Sequence, residues 1–159
     1  MKKSPNCGIW ANCSIPHSEI DRAALIIKSK LLERLENKQF DYTVCFMNDA
    51  DMLFMETALK LKKDYPDLSI SVLLPYCTWL DSLSTEEREK RKSYMAQLEC
   101  KYYYCAQESY SDLMFICSSQ LLDFCDNLLV IQTEQPDRST NDMVILAKIL
   151  NCNVDFISL

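Results

Sequence analysis

The sequence predicts an α/β fold, a three-layer Rossmann-like domain with a mainly parallel sheet. Three observations carry that expectation. Apolar runs of strand length alternate with amphipathic stretches of helix length along the whole chain. The runs that begin at Cys7, Tyr42, Leu68 and Leu128 are continuously apolar, as strands covered by helices on both faces must be. No repeat, low-complexity tract or Gly/Ser linker interrupts the 159 residues, so one domain over residues 1–159 is expected, and 48% hydrophobic residues suffice for one core. Gly8 is the chain's only glycine. Folds of this kind hold phosphates on glycine-rich turns between a strand and a helix, so the scaffold is expected without its usual anion loop.

Cys7 to Ala11 reads as the first strand and Asn12 to His17 as the loop after it. Ser18 is positioned to cap a helix whose first turn carries Glu19 and Asp21 and whose inner face carries Ile20, Ala24, Ile27, Leu31 and Leu35. Tyr42 to Met47 reads as a buried strand. Asn48 or Asp49 caps the following helix, with Met52, Met55 and Leu59 on one side and Lys60, Lys62 and Lys63 at its end. After the Tyr65-Pro66-Asp67 turn, Leu68 to Leu74 forms a third strand that stops at Pro75. Ser84-Thr85-Glu86-Glu87 fits a capping box, and the pairs Glu86/Lys90 and Glu87/Arg91 support the helix behind it.

Lys101 to Ala106, with three successive tyrosines, reads as the fourth strand, its alternate tyrosines expected in the sheet core. Met114, Cys117, Leu121 and Phe124 mark a helix and Leu128 to Ile131 a short strand. Thr140 caps a last helix that points Met143, Ala147 and Leu150 inward, and Val154 to Ile157 closes the chain as a sixth strand.

Seventeen basic against 23 acidic residues give a net charge of −6, which disfavours nucleic acid as a partner. No apolar run reaches the roughly 18 residues that cross a bilayer, and no apolar stretch follows Lys2 and Lys3, so neither a membrane nor a secretory route is expected and the cytoplasm is the expected location. Nine cysteines, an odd number lying mostly in apolar runs such as those of Cys45, Cys117 and Cys125, read as buried free thiols. There is no Cys-x-x-Cys, and Cys100 with Cys105 lacks a second pair, so neither structural zinc nor another metal or cofactor is expected.

The stretch Asp51-Met52-Leu53-Phe54-Met55-Glu56-Thr57-Ala58-Leu59-Lys60-Leu61-Lys62-Lys63-Asp64-Tyr65-Pro66, followed by an apolar strand ending in Pro75, resembles the YpsA/YoqJ-like branch of the SLOG superfamily. That branch similarly has a strand, a Ser-Gly…Gly-x-Asp loop, a helix with an inward Glu, a Leu-Lys ending and a Tyr-Pro turn. The resemblance covers nearly the whole chain and places Asp51 on the family's loop aspartate and Glu56 on its helix glutamate. It also implies a Rossmann-like fold, a nucleotide-derived ligand and a homodimer. The departures fall on the phosphate grip. The loop glycines fall at about Cys45 and at Asp49, Asn12 to His17 replaces a Gly-His-Arg-Pro-like turn, Arg138-Ser139-Thr140 replaces a Gly-Gly-Thr-like turn, and Cys117-Ser118 replaces an Arg-Asn pair. Side chains in these places fill the space of a phosphate, and Asp49 adds negative charge to it.

The candidate ligand-binding residues are therefore Asn12, His17, Asn48, Asp49, Asp51, Glu56, Trp79 and Thr140. Asp49, Asp51 and Glu56 suit a cation or a ribose hydroxyl, against ordinary helix capping by Asn48 or Asp49. His17, the only histidine, lies on the loop that would flank a site, where it is either a surface residue or a base for the thiol of Cys13 or Cys77. Trp79, beyond the third strand, is the first-ranked aromatic for a ligand or partner, whereas Trp10 suits the core.

The leading expectation is a non-catalytic SLOG-like module, either a degenerate sensor of nucleotide derivatives or a protein-interaction domain. A LOG-like phosphoribohydrolase with Glu56 as its acid is the rival. A thiol redox protein is a third reading.

Overall fold

In the computed structural model, residues 5–45, 48–106 and 113–159 are described, the side chains of Leu113 and Met114 excepted. Six strands and five helices alternate: β1 (Asn6–Ala11), α1 (Ile20–Glu36), β2 (Asp41–Cys45), α2 (Asp49–Leu61), β3 (Ser69–Tyr76), α3 (Thr85–Gln97), β4 (Lys101–Ala106), α4 (Leu113–Phe124), β5 (Asn127–Gln132), α5 (Arg138–Ile149) and β6 (Asn153–Ser158). All neighbouring strands pair in parallel, in the order β4-β3-β2-β1-β5-β6. The four central strands are β3, β2, β1 and β5, those that the sequence marked at Leu68, Tyr42, Cys7 and Leu128; β5 is apolar from Leu128 to Ile131, whereas β3 carries Ser69 and Ser71 and β2 carries Thr43.

Right-handed crossovers place α1, α2 and α3 on one face while the order runs outward from β1 to β4, and α4 and α5 on the other once it reverses toward β6. Two apolar clusters result. One joins Ile27, Leu31, Val44, Phe54, Met55 and Val72 under α1 and α2, and the other joins Trp10, Leu73, Leu121, Val130 and Met143 under α4 and α5. The reversal of strand order lies between β1 and β5. The C-terminal ends of those strands open the crevice where α/β sheets usually bind ligands.

Gly8 sits in the middle of β1, and its φ is not positive. A Cβ there would lie 2.9 Å from Cys125 Sγ and 3.1 Å from Leu121 Cγ, so the residue is small because the end of α4 packs directly onto its backbone. Helix ends are made without glycine. Lys38, Glu99 and Asn151 take left-handed φ values of 63°, 54° and 56° one residue past the caps of α1, α3 and α5. The bonds Gln39 N–H to Arg34 O, Cys100 N–H to Met95 O and Cys152 N–H to Ala147 O complete Schellman closures.

Several expectations are corrected. Ser18 does not cap α1: residues His17–Glu19 form a 3-10 turn in which the Glu19 N–H bonds Pro16 O, and Glu19 takes the cap position without a side-chain bond. Asp137, not Thr140, caps α5. Leu150 is exposed because the helix ends beneath it at Ile149. β3 runs through Pro75 to Tyr76. The tyrosines of β4 are not core, since β4 is an edge strand and Tyr102, Tyr103 and Tyr104 are all exposed. Phe46 and Met47, assigned to the second strand, and the Met114 side chain lie outside the described residues. Among the described residues no helix is long and apolar enough to cross a membrane.

Candidate functional site

The crevice between β1 and β5 is lined by the N-termini of α2 and α5, both closed by the chain's own side chains. At α2, Asn48 Oδ1 accepts the N–H groups of Ala50 (3.1 Å) and Asp51 (3.2 Å), and the Asp51 carboxylate accepts the Asn48 N–H (3.3 Å). This reciprocal capping box satisfies the donors that a phosphate would otherwise meet. Asn48 also donates through Nδ2 to Ala11 O at 2.6 Å, tying the helix start to the end of β1. Asp51 is almost fully buried.

At α5, Asp137 Oδ1 accepts the Thr140 N–H (2.9 Å) and the Thr140 hydroxyl (2.7 Å). Its Oδ2 accepts from Ser139 (2.9 Å) and from Asn12 Nδ2 (2.7 Å), and Asn12 reaches Ser139 Oγ as well (2.6 Å). Burial alone would raise the Asp137 pKa, but the bonds from Thr140, Ser139 and Asn12 outweigh it and hold the carboxyl below its usual value. Thr140 thus spends its hydroxyl on the cap.

Cys13 lies between these two helix ends. Burial, and then the carboxylates of Asp51, Asp137 and Asp49, push its thiol up to about 11. Negative charge therefore converges on the crevice, and Cys13 is a poor nucleophile at neutral pH. Burial likewise lifts the thiols of Cys7 and Cys100 to about 11, and none of the nine cysteines is in a disulfide. Among the described residues no group of His, Cys, Asp and Glu side chains could hold a metal ion.

His17, Asp49 and Glu56 do not line that crevice, on which Asp49 acts only through its charge at Cys13. They line a separate cleft of about 320 Å³ beside α1, α2 and α3, with Ile15, Ile20, Met52 and Leu53 as its apolar floor and Glu87 and Lys90 at its rim. Glu56 is engaged there by Tyr94, whose hydroxyl donates at 3.4 Å, and by Lys60 Nζ at 3.4 Å. His17 is exposed in its 3-10 turn.

Trp79 joins neither group. The 3-10 turn Trp79–Ser82 folds its ring into the core, where the Arg91 guanidinium lies 5.6 Å from the ring centroid and is bonded in turn by Glu87. The aromatic ranked first for a ligand or partner is thus a buried packing residue.

On the opposite face, α4 and α5 flank an apolar cleft of about 450 Å³ over Trp10, with Phe115, Met143, Ile145 and Ile149 along it and Ser118, Ser139 and Asp142 as its polar members. Trp10 is buried, and its indole N–H donates to Ser118 Oγ at 3.0 Å. Asp137 and this second cleft were not among the sequence candidates. For Asp137 a signal existed, since an Asp three residues before Thr140 is as good a cap as Thr140 itself. The cleft had none, because its walls come from segments distant in sequence. No protein-family model and no curated protein matches this chain.

Proposed function

We propose that the chain is a non-catalytic, SLOG-like module that works by protein interaction and has lost the phosphate grip of that fold. One observation carries the reading. Both helix N-termini at the switch-point crevice are capped internally, and Asp51 and Asp137 put carboxylates where an anion would bind. Exposed Phe115, Ile145 and Ile149 beside the cleft over Trp10 add an apolar surface of the kind that contacts proteins.

The test is a thermal-shift screen of the purified protein with AMP, NAD and inorganic phosphate. A ligand at one hundred times its Kd stabilises by about 2.7 kcal/mol, so millimolar compound reveals even weak binding. No shift is expected. A shift that depends on Asp137 or Asp51 would overturn the reading.

A second reading keeps a nucleotide-derivative sensor, or a LOG-like enzyme with Glu56 as acid, in the cleft that gathers His17, Asp49 and Glu56. It predicts nucleotide binding that Glu56→Ala abolishes and Asp137→Ala leaves intact. Against its enzymatic form, Glu56 is already engaged by Lys60 and Tyr94.

A further inference from the structure

We propose that the chain forms a symmetric homodimer by antiparallel pairing of β4 with β4 of a second copy, joining two sheets into one. The argument rests on the two sheet edges and is independent of the reading above. Exposed edges invite pairing, and sheets blunt them with charge, proline or bulges. β6 is blunted in this way. Asp155 in its middle bridges Lys30 Nζ (2.9 Å) and Arg34 Nη1 (3.1 Å), which fixes charge along that edge. β4 carries Lys101 only at its start, and from Tyr102 to Ala106 it has neither a charge nor a proline. Among the described residues no strand pairs with its outer side.

The side chains on β4 are self-complementary about Tyr103. Tyr102 and Tyr104 share one face, with ring centroids 6.0 Å apart, while Tyr103 lies on the other against Phe124 at 5.1 Å. An antiparallel register centred on Tyr103 sets that residue opposite its own copy. It also sets Tyr102 opposite Tyr104 of the second copy, twice. The three central pairs across the seam are then aromatic, a favourable class of cross-strand contact, and Lys101 falls opposite Cys105 on either side of them.

The area suits a weak, concentration-dependent pair. The three tyrosines are 55%, 41% and 48% exposed. Six half-exposed tyrosines bring at most on the order of 600 Å² to the seam, about half of the roughly 1,200 Å² at the lower end of stable interfaces. An antiparallel edge on a parallel sheet is common, and an isologous pair uses up the edge and closes. The guarded β6 edge prevents growth into a fibre.

Sedimentation equilibrium of the whole chain over about 1–100 µM is expected to show a monomer–dimer equilibrium. Tyr102→Lys/Tyr104→Lys sets like charges across the seam and is expected to weaken dimerisation at least about tenfold. Tyr102→Glu/Tyr104→Lys sets opposite charges across it in this register and is expected to recover the dimer. Circular dichroism reads the fold of each variant separately, and Tyr103→Lys, which puts two lysines on the dimer axis, replaces the Lys/Lys variant if that one does not fold. A wild-type chain that stays monomeric throughout overturns the proposal and leaves the edge to a foreign strand. So does a folded Lys/Lys or Tyr103→Lys variant that dimerises like wild type. A folded Glu/Lys variant no tighter than Lys/Lys overturns the register.

Discussion

Gly8→Ala is expected to destabilise the protein although it adds a single methyl group to a buried strand. The new Cβ would stand 2.9 Å from Cys125 Sγ, 3.1 Å from Leu121 Cγ and 3.2 Å from Cys125 Cβ. Carbon–carbon contacts are comfortable near 3.5–4.0 Å, so α4 must withdraw by several tenths of an ångström. Overpacking of that kind costs about 1–3 kcal/mol, and alanine's better strand propensity returns about 0.5 kcal/mol. A net loss of about 0.5–2.5 kcal/mol lowers the melting temperature by roughly 2–8 °C in a chain of this size. Cys125→Ala removes the sulfur and makes the room. In a double-mutant cycle by urea unfolding, Gly8→Ala and Cys125→Ala should therefore couple favourably by about 1 kcal/mol. Strict additivity, or a Gly8→Ala protein as stable as wild type, would refute the packing explanation of the chain's only glycine.

Three further outcomes are expected. Lys38→Gly and Glu99→Gly should each stabilise by about 0.5–1 kcal/mol in chemical denaturation, because a left-handed residue costs about 1–2 kcal/mol and glycine's added unfolded-state entropy takes back part of the gain; a loss of stability would contradict the assigned helix ends. Asp137 has a folded pKa below its ordinary value of 3.8, so its contribution is fully present above about pH 4 and is lost as pH falls through the folded value. Acid unfolding of Asp137→Asn should accordingly be shallower than wild type, with Asp155 and Glu87, also lowered, supplying the remaining slope. Thiol titration at pH 8 should find exposed Cys77 fast and buried Cys7, Cys45 and Cys117 reactive only after unfolding, whereas nine equally fast thiols would contradict the burial of these three side chains.

The strands at Cys7, Tyr42, Leu68 and Leu128 were legible because burial on both faces leaves a predominantly apolar run of strand length, broken only by small polar residues such as Thr43, Ser69 and Ser71, and they are the four inner strands. The tyrosines of β4 were not. Aromatic strand propensity is the same at an edge as in the interior, and only strand order tells Tyr103 apart from Tyr42. Asn48 was readable only as one of two caps, with Asp49, because Asn and Asp both favour that position; the reciprocal bond with Asp51 is what selects Asn48. Thr140 misled because the local pattern also admitted Asp137, and the cross-chain bond from Asn12 that holds Asp137 in place spans 125 residues. Trp79 misled for a similar reason, since its 3-10 turn and the Arg91 guanidinium that covers the ring are tertiary features. The separation of Asp51 from Asp49 and Glu56 follows from helical periodicity. Asp51 turns toward the crevice, and Asp49 and Glu56 turn toward the outer cleft.

Calorimetric titration of AMP into the wild-type protein addresses the self-capped crevice most directly, with Asp51→Ala, Asp137→Ala and Glu56→Ala run beside it. No binding is predicted at AMP concentrations up to about 1 mM, which corresponds to less than roughly 4 kcal/mol of binding free energy. Micromolar binding that Asp51→Ala or Asp137→Ala abolishes would contradict the account, because it would mean that the crevice capped by these two carboxylates still accepts a phosphate.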